Sequence, residues 1–344
     1  MIRKILFPLI IAANLFAQSL DFVIPLPEDD TANDTYTKTQ DVTVNEEEFN
    51  DNYVTINSSV NLAVVIDKKR FFRFIPSIMN SLNAYFSQKG IDYHVKLYDT
   101  DTDISKIDSN DIIYYATDTS ELPKLEDYNK TFYFPLINKN ETNISKENFY
   151  FGAIDLKDQT QKLVSLIDGR SVVIADKTLL SQKLLNYEQN LTNISKVYYF
   201  PNIYYKVLNN SFVIFNTSAG KTAQVLSKIT QKEIKTKLTL SSQLGYDPLM
   251  IILTQPADVE KLIIANSIIH PPLLINENAN LLNSNIRYNW INYATCILAN
   301  KAYNRQNDED SYYMSDFNTY IFDYQINYKT KLYRIFRGAF KEVE

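Results

Sequence analysis

Two apolar runs of the same design constrain this chain more than any other feature. Residues 62–66 (LAVVI) close on Asp67, and residues 172–175 (VVIA) close on Asp176. Each is short, rich in β-branched Val and Ile, and apolar at every position, which suits a strand buried on both faces better than one with a wet face. After the first run, Phe71, Phe74, Ile78, Leu82, Tyr85 and Phe86 recur at three- and four-residue steps up to Gly90. That spacing predicts an amphipathic helix with a glycine stop. Residues 91–98 (IDYHVKLY) alternate as a second strand and 112–116 (IIYYA) supply a third. Strand, helix and strand in that order need a crossover, so the sheet is expected to be parallel and doubly wound.

The pattern then restarts. Residues 149–154 read as a strand, 160–168 as a helix stopped by Gly169, and 172–175 as the next strand. Residues 178–190 follow as a helix with Leu179, Leu180, Leu184 and Leu185 inward. Strands at 197–200 and 212–215 and a helix at 221–230 extend the series. The expected class is α/β, with two Rossmann-like lobes at 58–155 and 156–284. Runs at 249–253 and 262–269 are apolar enough for further sheet or core, and Pro256, Asp258 and Glu260 between them exclude a membrane span. In the C-terminal segment, 285–344, Tyr320, Phe322, Tyr324, Ile326 and Tyr328 occupy alternate positions. They predict a strand that returns through 332–336 as an aromatic hairpin packed on the lobes.

The start of the chain has a different character. Arg3 and Lys4 precede an apolar run, 5–16, too short to span a bilayer, and Ala17 offers the small residue for cleavage. Residues 1–17 are therefore expected to be a signal peptide, giving a periplasmic or outer-membrane-associated protein. The only cysteine, Cys296, lies far from the cut, so neither a lipoprotein anchor nor an internal disulfide is expected. Residues 18–57 carry a strong net negative charge, with ten acids between Asp21 and Tyr53 against Lys38 alone, and read as a flexible leader. The rest of the chain is nearly neutral and has no basic stripe of the kind that neutralises phosphates, so nucleic acid is not an expected partner.

Motifs for chemistry are sparse. Residues 216–222 (NTSAGKT) end like a phosphate-binding loop, but Phe215 stands where its first glycine belongs, and the chain has six glycines in all. A loop and helix N-cap, with Thr217 or Ser218 satisfying backbone N–H groups, is the expectation. His94 and His270 have no neighbouring ligand at metal spacing, and no G-x-S-x-G elbow is present, so no metal, cofactor or catalytic residue is assigned. Cys296, among apolar residues, reads as core. Three Asn-X-Ser/Thr sites, Asn129, Asn143 and Asn190, also carry an acid two residues earlier, which resembles the extended acceptor of bacterial N-glycosylation.

The order LAVVID, long helix, strand, and later GRSVVIAD followed by TLLSQKLLNY, resembles the type I periplasmic-binding-protein family. There a small residue, a Val/Ile strand, an Asp and a helix open each lobe, and 169–176 match the second opening. The resemblance spans about 58–344. Members include amino-acid-binding proteins and non-transporting activators of peptidoglycan synthases; this chain departs from the transport members in its few glycines and in lacking an obvious amino-acid clamp. The signal, composition and sequons also resemble exported proteins of Campylobacter and its relatives, among them a flagellar basal-disk component. These likenesses imply a non-catalytic binding or scaffold protein of the bacterial envelope, with an envelope protein partner and a part in flagellar or cell-wall assembly. The alternatives are a receptor closing on a small polar ligand and, last, a hydrolase. In the receptor reading, contacts fall on loops at carboxyl ends of strands: Asp67 and Lys68; Thr117, Asp118, Thr119 and Ser120; and Asn216, Thr217 and Ser218.

Overall fold

The computed structural model describes residues 59–268, 271–307 and 311–343. The expected signal peptide and acidic leader lie outside them. The chain opens with β1 (Ser59–Val65), α1 (Lys68–Phe71), α2 (Ile75–Lys89), β2 (Asp92–Tyr98), β3 (Asp111–Tyr114), β4 (Thr131–Phe134) and β5 (Phe149–Phe151). These five strands pair in parallel in the order β2-β1-β3-β4-β5. Leu62, Val64 and Ile66 face one cluster of buried side chains, Ala63 and Val65 the other, as expected for a strand covered on both sides.

The first helix differs from its expected form. Pro76 sits in the opening turn of α2, where a proline is tolerated, but its ring would collide with the Phe72 carbonyl of a continuous helix. The chain therefore breaks into α1 and α2, and Phe74, expected inward, is half exposed. At the far end Gly90 adopts φ 64°, and Ile91 N–H bonds the Phe86 carbonyl at 3.2 Å. Nothing lies near a Cβ added at Gly90, so only the left-handed backbone resists one. Gly90→Ala is accordingly expected to cost about 1 kcal/mol in a denaturant melt.

The second series is α3 (Leu156–Val164), β6 (Ser171–Ala175), α4 (Leu179–Leu191), β7 (Ile194–Tyr199), β8 (Phe212–Asn216), α5 (Ala219–Gln231), β9 (Leu238–Ser241), α6 (Pro248–Leu253), α7 (Pro256–Val259) and β10 (Leu262–Asn266). Its sheet runs β7-β6-β8-β9-β10, again parallel. The apolar run at 249–253 is helical, with Asp247 accepting from the Leu249 amide at its start.

Past β10 the chain returns to the first lobe. α8 (Leu273–Leu281) and α9 (Trp290–Gln306) pack on α2, and Ile275, Ala279, Ile286 and Tyr293 belong to the first lobe's core. The boundary expected at 284 thus falls inside first-lobe structure. β11 (Tyr313–Met314), β12 (Thr319–Phe322) and β13 (Gln325–Ile326) extend the first sheet beyond β5. β14 (Lys331–Phe336) and β15 (Ala339–Glu342) extend the second beyond β10.

The single hairpin expected from the Tyr320–Tyr328 alternation is therefore two, one per sheet. Asp323 and Tyr324 take φ 46° and 61°, which turns the chain directly after β12 and interrupts the alternation. The segment at 332–336 pairs with β10 and β15, not with 320–328. Among the described residues the chain crosses between the lobes three times.

Candidate functional site

Both sheets follow the same winding rule. In the first lobe the chain leaves β1 for β2 on one side and resumes at β3 on the other; in the second, β6 stands to β7 and β8 in the same way. Each sheet thus has a switch point at the carboxyl ends of two strands, the usual place for a ligand in an open α/β sheet. The first is bounded by Asp67 and Thr117, the second by Asp176 and Asn216.

A cavity of about 500 Å³ opens beside the first switch point and is walled from both lobes. The loop after β3 contributes Thr117, Asp118 and Thr119, the loop after β4 Asn138, Asn140 and Glu141, the first crossover Asp155 and the first turn of α3 Lys157. One stripe of α4, Leu179, Lys183 and Tyr187, forms the opposing wall at the four-residue spacing that puts side chains on one helix face.

The walls are held by local capping. Asp118 accepts from the Ser120 amide at 2.8 Å, while Glu121 accepts from the amides of Thr117 and Asp118 at 2.8 and 3.2 Å. The Ser120 amide and hydroxyl hold the Asp118 carboxyl below its ordinary range, with Lys183 adding to the effect. Asn138 is tied to the Ala153 carbonyl at 2.9 Å, and Asn140 donates to Asp155 at 2.9 Å. Lys183 meets Glu141 at 2.6 Å, an ion pair that joins α4 to the first lobe.

Behind the cavity the lobes share a buried junction. Gln159 donates to Gln243 (3.2 Å) and Ser267 (2.7 Å), Gln243 donates to Asn266 (2.8 Å), and Ser267 bonds Thr330 (3.1 Å). This network links the second and third crossovers to α3, which follows the first. Beside it Ile154, Leu156 and Leu184 are buried against Trp290 and Tyr328, and the Tyr328 hydroxyl donates to the Gly152 carbonyl at 2.7 Å. Trp290 is the only tryptophan of the chain, so its emission reports on this junction.

Of the residues named from sequence, Thr117, Asp118 and Thr119 line the cavity, and Ser120 supports Asp118. Asp67 instead caps α1, accepting from the Lys69 and Arg70 amides at 3.0 and 2.9 Å, and Lys68 is exposed outside the lining. Asn216 and Thr217 are fully buried: Asn216 donates to Glu188 at 2.8 Å, and Thr217 pairs with Thr222 at 2.9 Å. Ser218 occupies the N-cap position of α5 without a side-chain cap bond. Lys221, the lysine of the GKT sequence, is bound to Asp176 at 2.7 Å. Burial raises the Asp176 pKa, but bonds from Lys221 and Thr178 outweigh that and leave it lowered.

Asn138, Asp155, Lys157, Lys183 and Tyr187 carried no motif, and Asn140 and Glu141 belonged only to glycosylation-type sequons. The one available signal was the Leu179, Lys183, Tyr187 spacing, and Leu179, expected inward, is exposed on that stripe. Asn129, Asn143 and Asn190 are all exposed. Cys296 is fully buried, with its thiol pushed up to about 12 by that burial.

No protein-family model matches the chain, and no curated protein matches its sequence. Solved structures do resemble it. A leucine-binding protein LivK from Thermotoga maritima superposes with TM-score 0.57 at 13% identity, over 83% of this chain and 98% of that one. A branched-chain amino acid ABC transporter structure from Thermus thermophilus with bound valine gives TM-score 0.62 at 10% identity, over 83% and 95%. LpoA from Haemophilus influenzae gives 0.51 at 12% identity, over 85% of this chain and 60% of that one. With its two winding sheets and three crossovers, the chain has the two-lobed fold of the type I periplasmic binding proteins.

Proposed function

We propose that this protein is a non-catalytic receptor of the bacterial envelope that holds a compact zwitterion, of the free amino-acid class, between its lobes. The cavity carries the reading. Its walls come from both lobes and place the carboxylates of Asp118, Glu141 and Asp155 near the ammonium groups of Lys157 and Lys183, so both ends of a zwitterion meet opposite charge. Thr117 and Thr119 add hydroxyls, and Ile137, Leu179 and Tyr187 give apolar surface. The bound valine and isoleucine of similar structures agree with that ligand class. A periplasmic location agrees with the signal-like start, and among the described residues no helix is long and apolar enough to cross a membrane.

A second reading, a scaffold that engages an envelope protein and binds no small ligand, is favoured by one observation. The Glu141–Lys183 pair already joins the two walls, so part of the polar lining is satisfied within the chain.

A ligand that binds only the folded state raises its melting midpoint by mass action. Titration with free amino acids, sugars and cell-wall peptides is expected to show one amino acid that raises the midpoint by about 5 °C at a hundredfold excess over its dissociation constant. The same ligand should change Trp290 emission, and Thr117→Ala and Lys157→Ala should remove both responses. If no small molecule moves either signal while a defined envelope protein binds, the scaffold reading stands and the receptor falls.

A further inference from the structure

The segment from α1 into α2 reads KKRFFRF at 68–74, and between Lys68 and Ile91 there are five cations and no acid. Pro76 fixes this as a tight turn, with the Phe74 N–H bonded to the Phe71 carbonyl at 2.7 Å. The turn lifts side chains off the fold: Phe72 is 64% and Phe74 51% exposed, and Lys68, Lys69, Arg70 and Arg73 are all exposed. The end of α8 lies beside the first turns of α2, with Asn80 donating to the Leu282 carbonyl at 2.6 Å and Ser284 to the Ser77 carbonyl at 2.8 Å. It brings Leu281, 81% exposed, and Leu282, 41% exposed, to the same end of the lobe.

A soluble surface rarely gathers large apolar side chains without a partner for them. Here the partner must also accept dense positive charge. Asp67, the adjacent acid, has its carboxylate engaged by the α1 amides, and Lys89, the fifth cation, is paired with Asp316 at 3.0 Å. Arg73 lies over the Phe72 ring at 5.9 Å, so cation and aromatic face outward together. Aromatic and leucine side chains that enter an acyl boundary, with Lys and Arg at headgroup level, match the composition of interfacial membrane anchors.

We infer that this cationic-aromatic lip of the first lobe docks on an anionic lipid surface, with Phe72, Phe74 and Leu281 entering the interface and Lys68, Lys69 and Arg73 meeting lipid phosphates. Arg70 donates to Thr117 at 2.9 Å, which ties the lip to the cavity wall.

The test is flotation of the full chain with vesicles of phosphatidylcholine alone or mixed with phosphatidylglycerol. Binding is expected only to the mixed vesicles and should weaken as salt rises. Phe72→Ser/Phe74→Ser and Lys69→Glu/Arg73→Glu should each lower partitioning by about tenfold or more, with melting midpoints unchanged because these side chains are exposed. Three outcomes overturn the inference: no binding to mixed vesicles, equal binding to neutral ones, or binding unaffected by the phenylalanine pair. The last would mean that charge alone acts and that the lip serves a soluble polyanion or an acidic protein. A variant whose midpoint falls is replaced by Phe72→Ser or Lys69→Glu alone, read in the same assay.

Discussion

Arg305→Ala is expected to destabilise the protein by roughly 3–5 kcal/mol, one of the two largest effects expected of a single substitution here. Asp111 is 1% exposed on β3, among the first lobe's central strands. Its carboxylate accepts from Arg305 Nε and Nη2 at 3.1 and 2.8 Å on one oxygen and from Nη2 again at 2.8 Å on the other. Gln306 and Tyr133 add donors at 2.8 and 2.7 Å. Removing the guanidinium strands a buried charge, whereas removing both charges does not. Asp111→Leu/Arg305→Met should therefore recover most of the loss in urea melts. Equal losses in the single and double variants would show that packing of α9, not charge pairing, sets the cost.

Glu188→Gln is expected to raise the melting midpoint at pH 8 by roughly 5–10 °C and to flatten the dependence of stability on pH. Glu188 is 2% exposed in α4, and burial pushes its pKa up to about 8, against a smaller lowering by the Asn216 hydrogen bond. The folded state therefore keeps a proton that the unfolded chain releases above its ordinary carboxylate range. The contribution of Glu188 to stability is fullest below about pH 4.5, declines as pH rises towards 8, and levels off beyond, a total loss on the order of 5 kcal/mol. Glutamine removes the titration. Its amide can also donate to Asn216 Oδ1, which is buried without a hydrogen-bond partner. Parallel pH profiles for the two proteins would sink this account.

How much of this was legible beforehand follows from what each residue answers to. β1 and β6 were readable because LAVVI and VVIA are apolar at every position and rich in Val and Ile, which suits a doubly covered strand, whereas the equally apolar LMIIL at 249–253 forms α6. β4 and β9 were not recognised: TFYF and LTLS are four residues each, short enough for apolar and polar positions to fit several structures. α9 hid for the opposite reason. Buried nearly all round, it has Asn292, Thr295, Asn300 and Lys301 in the interior and so shows no polar face to give a period.

The candidate site was half visible. Thr117, Asp118 and Thr119 follow from the rule that ligands gather at strand carboxyl ends, and the same rule pointed to Asn216 and Thr217, which turn inward. The difference is Glu188, 28 residues earlier in the chain, which claims the Asn216 amide. No local pattern announces such a partner. The facing wall on α4 likewise depends on where a helix of the second lobe meets a loop of the first, a relation set by the crossovers.

Those crossovers have a consequence for how the protein comes into being. β1 is among the first described strands to be synthesised, yet its core needs α9, and both sheets gain edge strands only after residue 312. Neither lobe is a continuous stretch of chain, so the first cannot finish before β13 has emerged, nor the second before β15. Long-range closure of this kind slows folding and leaves unpaired β5 and β10 edges in the interim. A truncation that removes 313–343 is thus a defect in both lobes at once, one strand set lost from each, although it deletes a single short run of sequence.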